Sequence, residues 1–187
     1  PIGSFSEINF LGIISITKDL IMVSIYILAR LEIFKDFTDQ EIQKVIYCST
    51  EEFYPEDTVI LEESKHSKDL YVIVEGRVAV EMKIPTSVDQ QKVERISVIN
   101  AEHLFGELAF IEGTPRSAQI RTIEKVKLLV INEKKAHELF KEDPALGFKM
   151  MRNLAIIVCD RLRNINFMWR KRSSKRVAGG CTPSGFY

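Results

Sequence analysis

Apolar and polar positions change period twice along this chain. Between Thr38 and Cys48, Ile42, Val45 and Ile46 recur at helical spacing, and Thr38-Asp39-Gln40-Glu41 has the form of a capping box. A helix is predicted there, with those three apolar residues on its buried face. Just upstream, Ser24 to Phe34 reads as a helix or helical turn leading into the domain. From Glu52 to Ile131 the helical period gives way to short β-branched and aromatic runs. Strands are predicted at Glu52–Tyr54, Val59–Leu61, Leu70–Glu75, Arg77–Lys83, Val93–Ile99, Ser117–Thr122 and Lys127–Ile131, with turn-forming clusters at Ser64–Asp69 and Pro85–Gln91. Several short strands at this spacing predict a β-sandwich or barrel-like roll. The helical period then returns. Asn132 caps a helix over about Glu133–Lys141, and Asp143 caps another with Pro144 at its first position. In this last helix Met151, Leu154, Val158, Leu162, Ile165 and Trp169 recur at spacings of 3, 4, 4, 3 and 4, forming one stripe. From about Ser173 onward, Ser-Ser, Gly-Gly and Thr-Pro-Ser-Gly predict a flexible tail.

Composition adds bounds to this picture. A chain of 187 residues with 45% hydrophobic and 28% charged residues is long enough for a real core and has the make-up of a soluble domain with extensions. Net charge is zero, yet Arg161 to Arg176 holds seven basic residues and no acidic one, which leaves the first 160 residues at −7. An anion reaching that region must be held by local geometry, since the net field opposes it. Cys48, Cys159 and Cys181 are far apart and form no paired motif, as expected of reduced thiols in a cytoplasmic setting. His66, His103 and His137 are equally scattered, so no metal is expected. Ile8 to Leu28 is apolar-rich but interrupted by Lys18 and Asp19, and Leu20 to Ala29 is too short to cross a bilayer, which takes about 20 residues. No membrane span and no signal peptide are expected; the location implied is the cytoplasm, or the cytosolic portion of a larger membrane protein.

The candidate chemistry lies in Phe105-Gly106-Glu107-Leu108-Ala109-Phe110-Ile111-Glu112-Gly113-Thr114-Pro115-Arg116-Ser117-Ala118-Gln119. Gly106 permits unusual dihedrals and close backbone approach. Glu107 to Phe110 can form a helical turn whose free N–H groups point at an anion. Arg116 supplies a planar fork that matches two phosphate oxygens. Glu107 accepts hydrogen bonds, so it suits hydroxyls and repels phosphate. An acceptor for sugar hydroxyls and a cation for phosphate, nine residues apart, imply a ligand carrying both. The alternative is a plain strand–turn–strand connection whose Arg116 pairs with Glu107 or Glu112 at the surface.

This run resembles, without a gap from Phe105 to Gln119, the phosphate-binding cassette of the cyclic nucleotide-binding domain family. That family includes the regulatory subunits of cAMP-dependent kinase, cyclic-nucleotide-gated channels and the bacterial catabolite activators. Leu70 to Val80 resembles its second signature, in which Gly76 turns one strand into the next. The resemblance covers roughly residues 28 to 166 and implies an α+β fold: a jelly-roll-like β-roll flanked by an N-terminal helix and two C-terminal helices. The division expected is an N-terminal extension over 1–29, the binding domain over 30–166 with its roll at about 52–131 and C-terminal helices at about 133–170, and a basic, Gly/Ser-rich tail over 171–187.

Carried across, the family's roles give Glu107 the ribose 2′-hydroxyl and Arg116 the cyclic phosphate. The backbone N–H groups of Leu108 and Ala109 and the backbone or hydroxyl of Ser117 also reach phosphate oxygens, and Gly106 permits the turn. Ala118 completes the binding set. Ser117 in R-S-A is similar to the catabolite activators and implies cAMP over cGMP, although its hydroxyl can serve either base. Arg161, Leu162 and Asn164 fall where family members place base contacts, and Trp169 could stack on a purine; for each, packing or a solvated face is the competing reading. Two departures stand out: Glu56-Asp57 and Asn100-Ala101-Glu102-His103 replace loops in which the family usually has a glycine.

The implied function is a sensor that relays cyclic nucleotide occupancy through its C-terminal helices to an unknown effector. No helix-turn-helix for DNA is expected in the residues given after the long helix. The basic group from Arg170 to Arg176 could meet nucleic acid or anionic lipid, or simply be solvated. Two alternatives remain. The first is a non-binding roll that dimerises through the Met151–Trp169 stripe; a homodimer is also compatible with sensing. The second is a cupin-like metal enzyme using His103 and Glu107, which lacks the required H-x-H partner.

Overall fold

Leu70–Glu75 and Val126–Ile131 are nearly unbroken apolar runs because each strand is buried on both faces. The computed structural model describes residues 25–85 and 91–178. After a helical stretch at 25–28 and a 3₁₀ turn at Glu32–Phe34, helix α1 spans Asp39–Tyr47. Eight strands follow: β1 Ser49–Tyr54, β2 Val59–Leu61, β3 Leu70–Glu75, β4 Arg77–Pro85, β5 Gln91–Asn100, β6 Leu104–Phe105, β7 Gln119–Thr122 and β8 Val126–Ile131. A short helix, α2 (Glu107–Glu112), lies between β6 and β7, and α3 (Glu133–Glu142) and α4 (Pro144–Ala178) close the described chain.

The strands form two antiparallel four-stranded sheets, ordered β1-β8-β3-β6 and β2-β7-β4-β5. Residues alternate across a strand, so β3 and β8 serve two cores at once. Tyr71, Ile73, Leu128 and Val130 face the other sheet and pack on Leu61, Val78, Phe105 and Ile120. Leu70, Val72, Leu129 and Ile131 face outward onto a second core built from Ile33, Phe34, Ile42, Val45, Leu146, Met150 and Leu154. The result is the β-roll with flanking helices that the family resemblance implied.

Local chemistry accounts for the boundaries. The Thr38 capping box forms as predicted: its hydroxyl accepts from the Glu41 N–H at 3.3 Å, and Glu41 accepts from the Thr38 N–H at 2.7 Å. Ile42 and Val45 are buried, and Ile46 packs at the edge of the same core. Asn132 accepts from Lys135 N, and Asp143 accepts from Leu146 N, so both C-terminal helices begin at the caps read from sequence. Gly76 turns β3 into β4 at φ +88°, where an added Cβ would lie 2.4 Å from the Lys125 carbonyl oxygen. Asp57 (φ 58°) and Glu102 (φ 68°) occupy the two departing loops, so those loops keep a left-handed backbone without glycine.

Four expectations need correction. Strand β6 was not predicted; two residues are too few to show a period. Ser117 and Ala118 lie in a bend ahead of β7, because Arg116 is hydrogen-bonded through its backbone to Ser64 and Lys65. The stripe from Met151 to Trp169 is buried only in part: Leu154 is inside, while Leu162, Ile165 and Trp169 are exposed. The core-facing residues are Leu146, Met150, Leu154 and Ile157, and beyond Arg161 the helix outruns the body of the domain. Finally, the helix does not stop near Ser173 but runs through Ala178, the last described residue, since serine is only mildly unfavourable in a helix. Of the expected extension over residues 1–29, residues 1–24 lie outside the described residues, as does the end of the tail, while Ile25 and Leu28 are buried in the core with the flanking helices.

Candidate ligand-binding site

The connection from β6 through α2 to β7 is held around one guanidinium. Arg116 is only 4% exposed. Its Nε donates to Ser67 Oγ at 2.9 Å, Nη1 to the Gly106 carbonyl at 3.0 Å and Nη2 to the Asp69 carbonyl at 2.8 Å. Three of its five N–H donors are thus spent on the protein, which fixes the plane of the fork. The guanidinium also sits 5.5 Å from the centroid of Tyr71, whose ring stacks on Phe105 at 5.0 Å. Burial draws the Arg116 pKa below its ordinary value, and Tyr71, Asp69 and Glu107 act in the opposite direction. Arg116 does not pair with Glu107 or Glu112 at the surface, so the plain-turn alternative does not describe this connection.

Gly106 makes the arrangement sterically feasible. It caps α2 at φ +83°, and a Cβ there would lie 2.5 Å from Arg116 Nη1. The first-turn N–H groups of Glu107, Leu108 and Ala109 have no intrahelical acceptor. Glu107 is nearly buried, and its Oε1 accepts from Arg161 Nη1 at 2.6 Å. Arg161 Nη2 also donates to the Leu104 carbonyl. No donor among the described residues reaches Glu107 Oε2, and that oxygen is not sealed from solvent.

These groups line one cavity of about 100 Å³. Gly106, Glu107, Leu108, Ala109, Arg116, Ser117 and Ala118 all border it, together with apolar Leu61, Val80, Ile99 and Ile120. Of the three residues expected at the base, Arg161 reaches this cavity; Leu162 and Asn164 are exposed and do not line it, and Trp169 is exposed as well. His103, the proposed cupin ligand, has its Nδ1 within 3.0 Å of the Ala101 carbonyl, and the described residues contain no group of three or more His, Cys, Asp or Glu placed to hold a metal.

Sequence reasoning missed the support beneath Arg116. Ser67 and Asp69 were read only as turn formers, and Tyr71 only as one member of an apolar strand. Asp69 serves twice, because its Oδ1 also accepts from Glu133 N at 2.9 Å and Asn132 Nδ2 at 3.2 Å. No local motif announces these roles, since they depend on contacts 47 to 64 positions away.

Residues 51–143 match the model of the cyclic nucleotide-binding domain. They belong to that family. Among curated relatives, the cAMP-activated global transcriptional regulator CRP of Salmonella typhimurium is 31% identical over 121 residues, which cover 62% of this chain and 55% of the relative. Cyclic GMP-binding protein C of Dictyostelium discoideum is 29% identical over 132 residues, covering 70% of this chain and 5% of that protein. The chain therefore spans about half, or far less, of these relatives' own lengths. A cyclic nucleotide-binding domain from Methylobacillus flagellatus has the same fold, with a TM-score of 0.67 at 22% identity over 90% of this chain and 88% of that one. The regulatory domain of Toxoplasma gondii PKA with cAMP also has it, with a TM-score of 0.60 at 18% identity, covering 77% of this chain and 50% of that one. In this cyclic nucleotide-binding domain the conspicuous local departures are Asp57 and Glu102, which take left-handed conformations where the resemblance leads one to expect glycine.

Proposed function

We propose that the chain is a regulatory module that binds a cyclic nucleotide, with cAMP preferred over cGMP, and passes occupancy to α4. The observation that carries this reading is the convergence of a pre-oriented guanidinium, Arg116, and an open carboxylate oxygen, Glu107 Oε2, on one cavity. The two remaining Arg116 donors and the first-turn N–H groups of Leu108 and Ala109 serve the phosphate. Glu107 serves the ribose hydroxyl. Ser117 borders the same cavity, and its place in the R-S-A pattern supports the preference for cAMP. One of the two relatives is a cyclic GMP-binding protein and the other a cAMP-activated regulator, so they do not decide between the nucleotides.

Arg161 supplies the route outward. It belongs to α4 and bonds both Glu107 and the Leu104 carbonyl, so a ligand that engages Glu107 acts on the helix through a single shared carboxylate. Such a relay requires only that ligand affinity differ between two helix arrangements. No catalytic step is proposed for this cavity.

The test is calorimetric titration with cAMP and cGMP separately, repeated on Arg116→Ala. Charge-assisted hydrogen bonds contribute roughly 1.5–3 kcal/mol each. The variant is therefore expected to bind one to two orders of magnitude more weakly, or about 2–3 kcal/mol at 1.4 kcal/mol per decade. An unchanged affinity in a folded variant eliminates the assigned pocket. Absence of binding by the unmodified chain at high micromolar ligand favours the non-binding module.

A further inference from the structure

Beyond Arg161 helix α4 leaves the domain and carries apolar side chains into solvent. Leu162, Ile165, Phe167, Met168 and Trp169 are 57%, 45%, 57%, 58% and 63% exposed. Leu162, Ile165, Met168 and Trp169 share one side of the helix, at the spacing of an amphipathic stripe. Phe167 points elsewhere, with Lys171 Nζ 4.6 Å from its ring centroid. The same segment is the most basic part of the chain: Arg161 to Arg176 contains seven Lys or Arg and no Asp or Glu. The helix is continuous through Ala178, and no helix among the described residues is long and apolar enough to cross a membrane.

We propose that residues 162–176 of α4 form an interfacial helix that lies on an anionic lipid surface. Charge decides between occupants. A second copy packed in parallel along this stripe would set the six positive charges of residues 162–176 beside the same six. A nucleic acid would satisfy the cations while leaving Leu162, Ile165 and Met168 in water. An anionic bilayer satisfies both halves of the pattern: aliphatic side chains enter the acyl boundary, Trp169 sits at headgroup level, and the basic residues meet lipid phosphate and carboxylate. This surface is separate from the ligand cavity and does not depend on what that cavity binds. Arg161 is the last residue shared with the cavity before the interfacial stretch begins.

The experiment uses the full chain with vesicles of phosphatidylcholine alone and of phosphatidylcholine mixed equally with phosphatidylserine. Trp169 is the only tryptophan, so its emission reports on this segment directly. Expected results are co-sedimentation with the anionic vesicles only, a blue shift of Trp169 emission on binding, and loss of both in high salt. Leu162→Asp with Ile165→Asp should abolish binding. Lys171→Gln with Arg172→Gln should weaken it by about 25-fold, at about fivefold per basic residue near the surface. Because these residues are exposed or lie in the projecting helix, circular dichroism should show both variants folded. The proposal is overturned by failure of the folded chain to bind anionic vesicles, or by equal binding to neutral ones. It is also overturned if Trp169 is already shielded in a lipid-free dimer whose mass depends on concentration, or if duplex DNA displaces the chain from vesicles while Leu162→Asp with Ile165→Asp leaves DNA binding intact.

Discussion

Replacing Arg161 with alanine tests whether the cavity and the long helix are one mechanical unit. The guanidinium makes two bonds across the interface, one to Glu107 Oε1 at 2.6 Å and one to the Leu104 carbonyl. The Arg161 side chain is 32% exposed and that of Glu107 11%. A charge-assisted bond contributes roughly 1.5–3 kcal/mol when buried, and partial exposure reduces it toward the surface range. Loss of the pair should therefore cost about 1–2 kcal/mol, which at 1.4 kcal/mol per decade is about a 5- to 30-fold rise in local opening. Hydrogen exchange of backbone amides should show it between Leu154 and Arg161, with the β-roll strands unaffected. Cyclic nucleotide affinity should fall by about three- to tenfold, because Glu107 loses the partner that orients it, a loss of about 0.7–1.4 kcal/mol. Arg161→Lys should recover part of the charge but not the two-pronged contact. If Arg161→Ala leaves both exchange and affinity unchanged, the shared-carboxylate relay is wrong.

Other consequences follow from single positions. Glu102→Gly should stabilise the fold by up to about 1 kcal/mol, since relief of left-handed strain, about 1–2 kcal/mol, exceeds the added freedom of the unfolded chain; an unchanged or lower denaturation midpoint contradicts this. Asn153 is buried and donates from Nδ2 to the Ile33 and Lys35 carbonyls at 2.9 and 2.8 Å. Asn153→Leu should cost about 2–4 kcal/mol by orphaning both carbonyls, measured by chemical denaturation. The Lys149 ammonium, followed by the Thr38 backbone, holds the Glu41 carboxyl below its ordinary value of 4.5. Its folded pKa is depressed, so this contribution is present above pH 4.5 and disappears as pH falls through the folded value. Lys149→Met should flatten that acid limb of the stability curve, and an unaltered limb would assign acid sensitivity elsewhere.

The cassette was readable in the sequence because its parts are local: Gly106, Glu107, Arg116 and Ser117 lie within 12 residues. Caps were readable for the same reason, at Thr38, Asn132 and Asp143. Strands β2 and β3 were placed at their observed limits because glycine and polar turns bound apolar runs. What escaped notice was non-local. The bonds of Ser67 and Asp69 to Arg116 cross 49 and 47 positions, and nothing near either residue marks it as a partner. The stripe in α4 was read as continuous because periodicity reports which residues share a face. It does not report where the neighbouring protein surface ends, and here the last buried apolar residue is Ile157 and the last contact with the roll is Arg161.

Asp69 gives the Arg116 side of the cavity a second connection to the helices. Its carbonyl anchors the Arg116 fork, while its carboxylate anchors the beginning of α3 through Glu133 N and Asn132 Nδ2. A displacement of the guanidinium toward an incoming anion pulls on one end of a single residue, and the start of α3 is attached to the other. The two C-terminal helices are thus tied to the cavity at both ends of the same lever: at the α3 root by Asp69, and midway along α4 by Arg161. One bonded position on each helix therefore holds the α3–α4 pair against the roll.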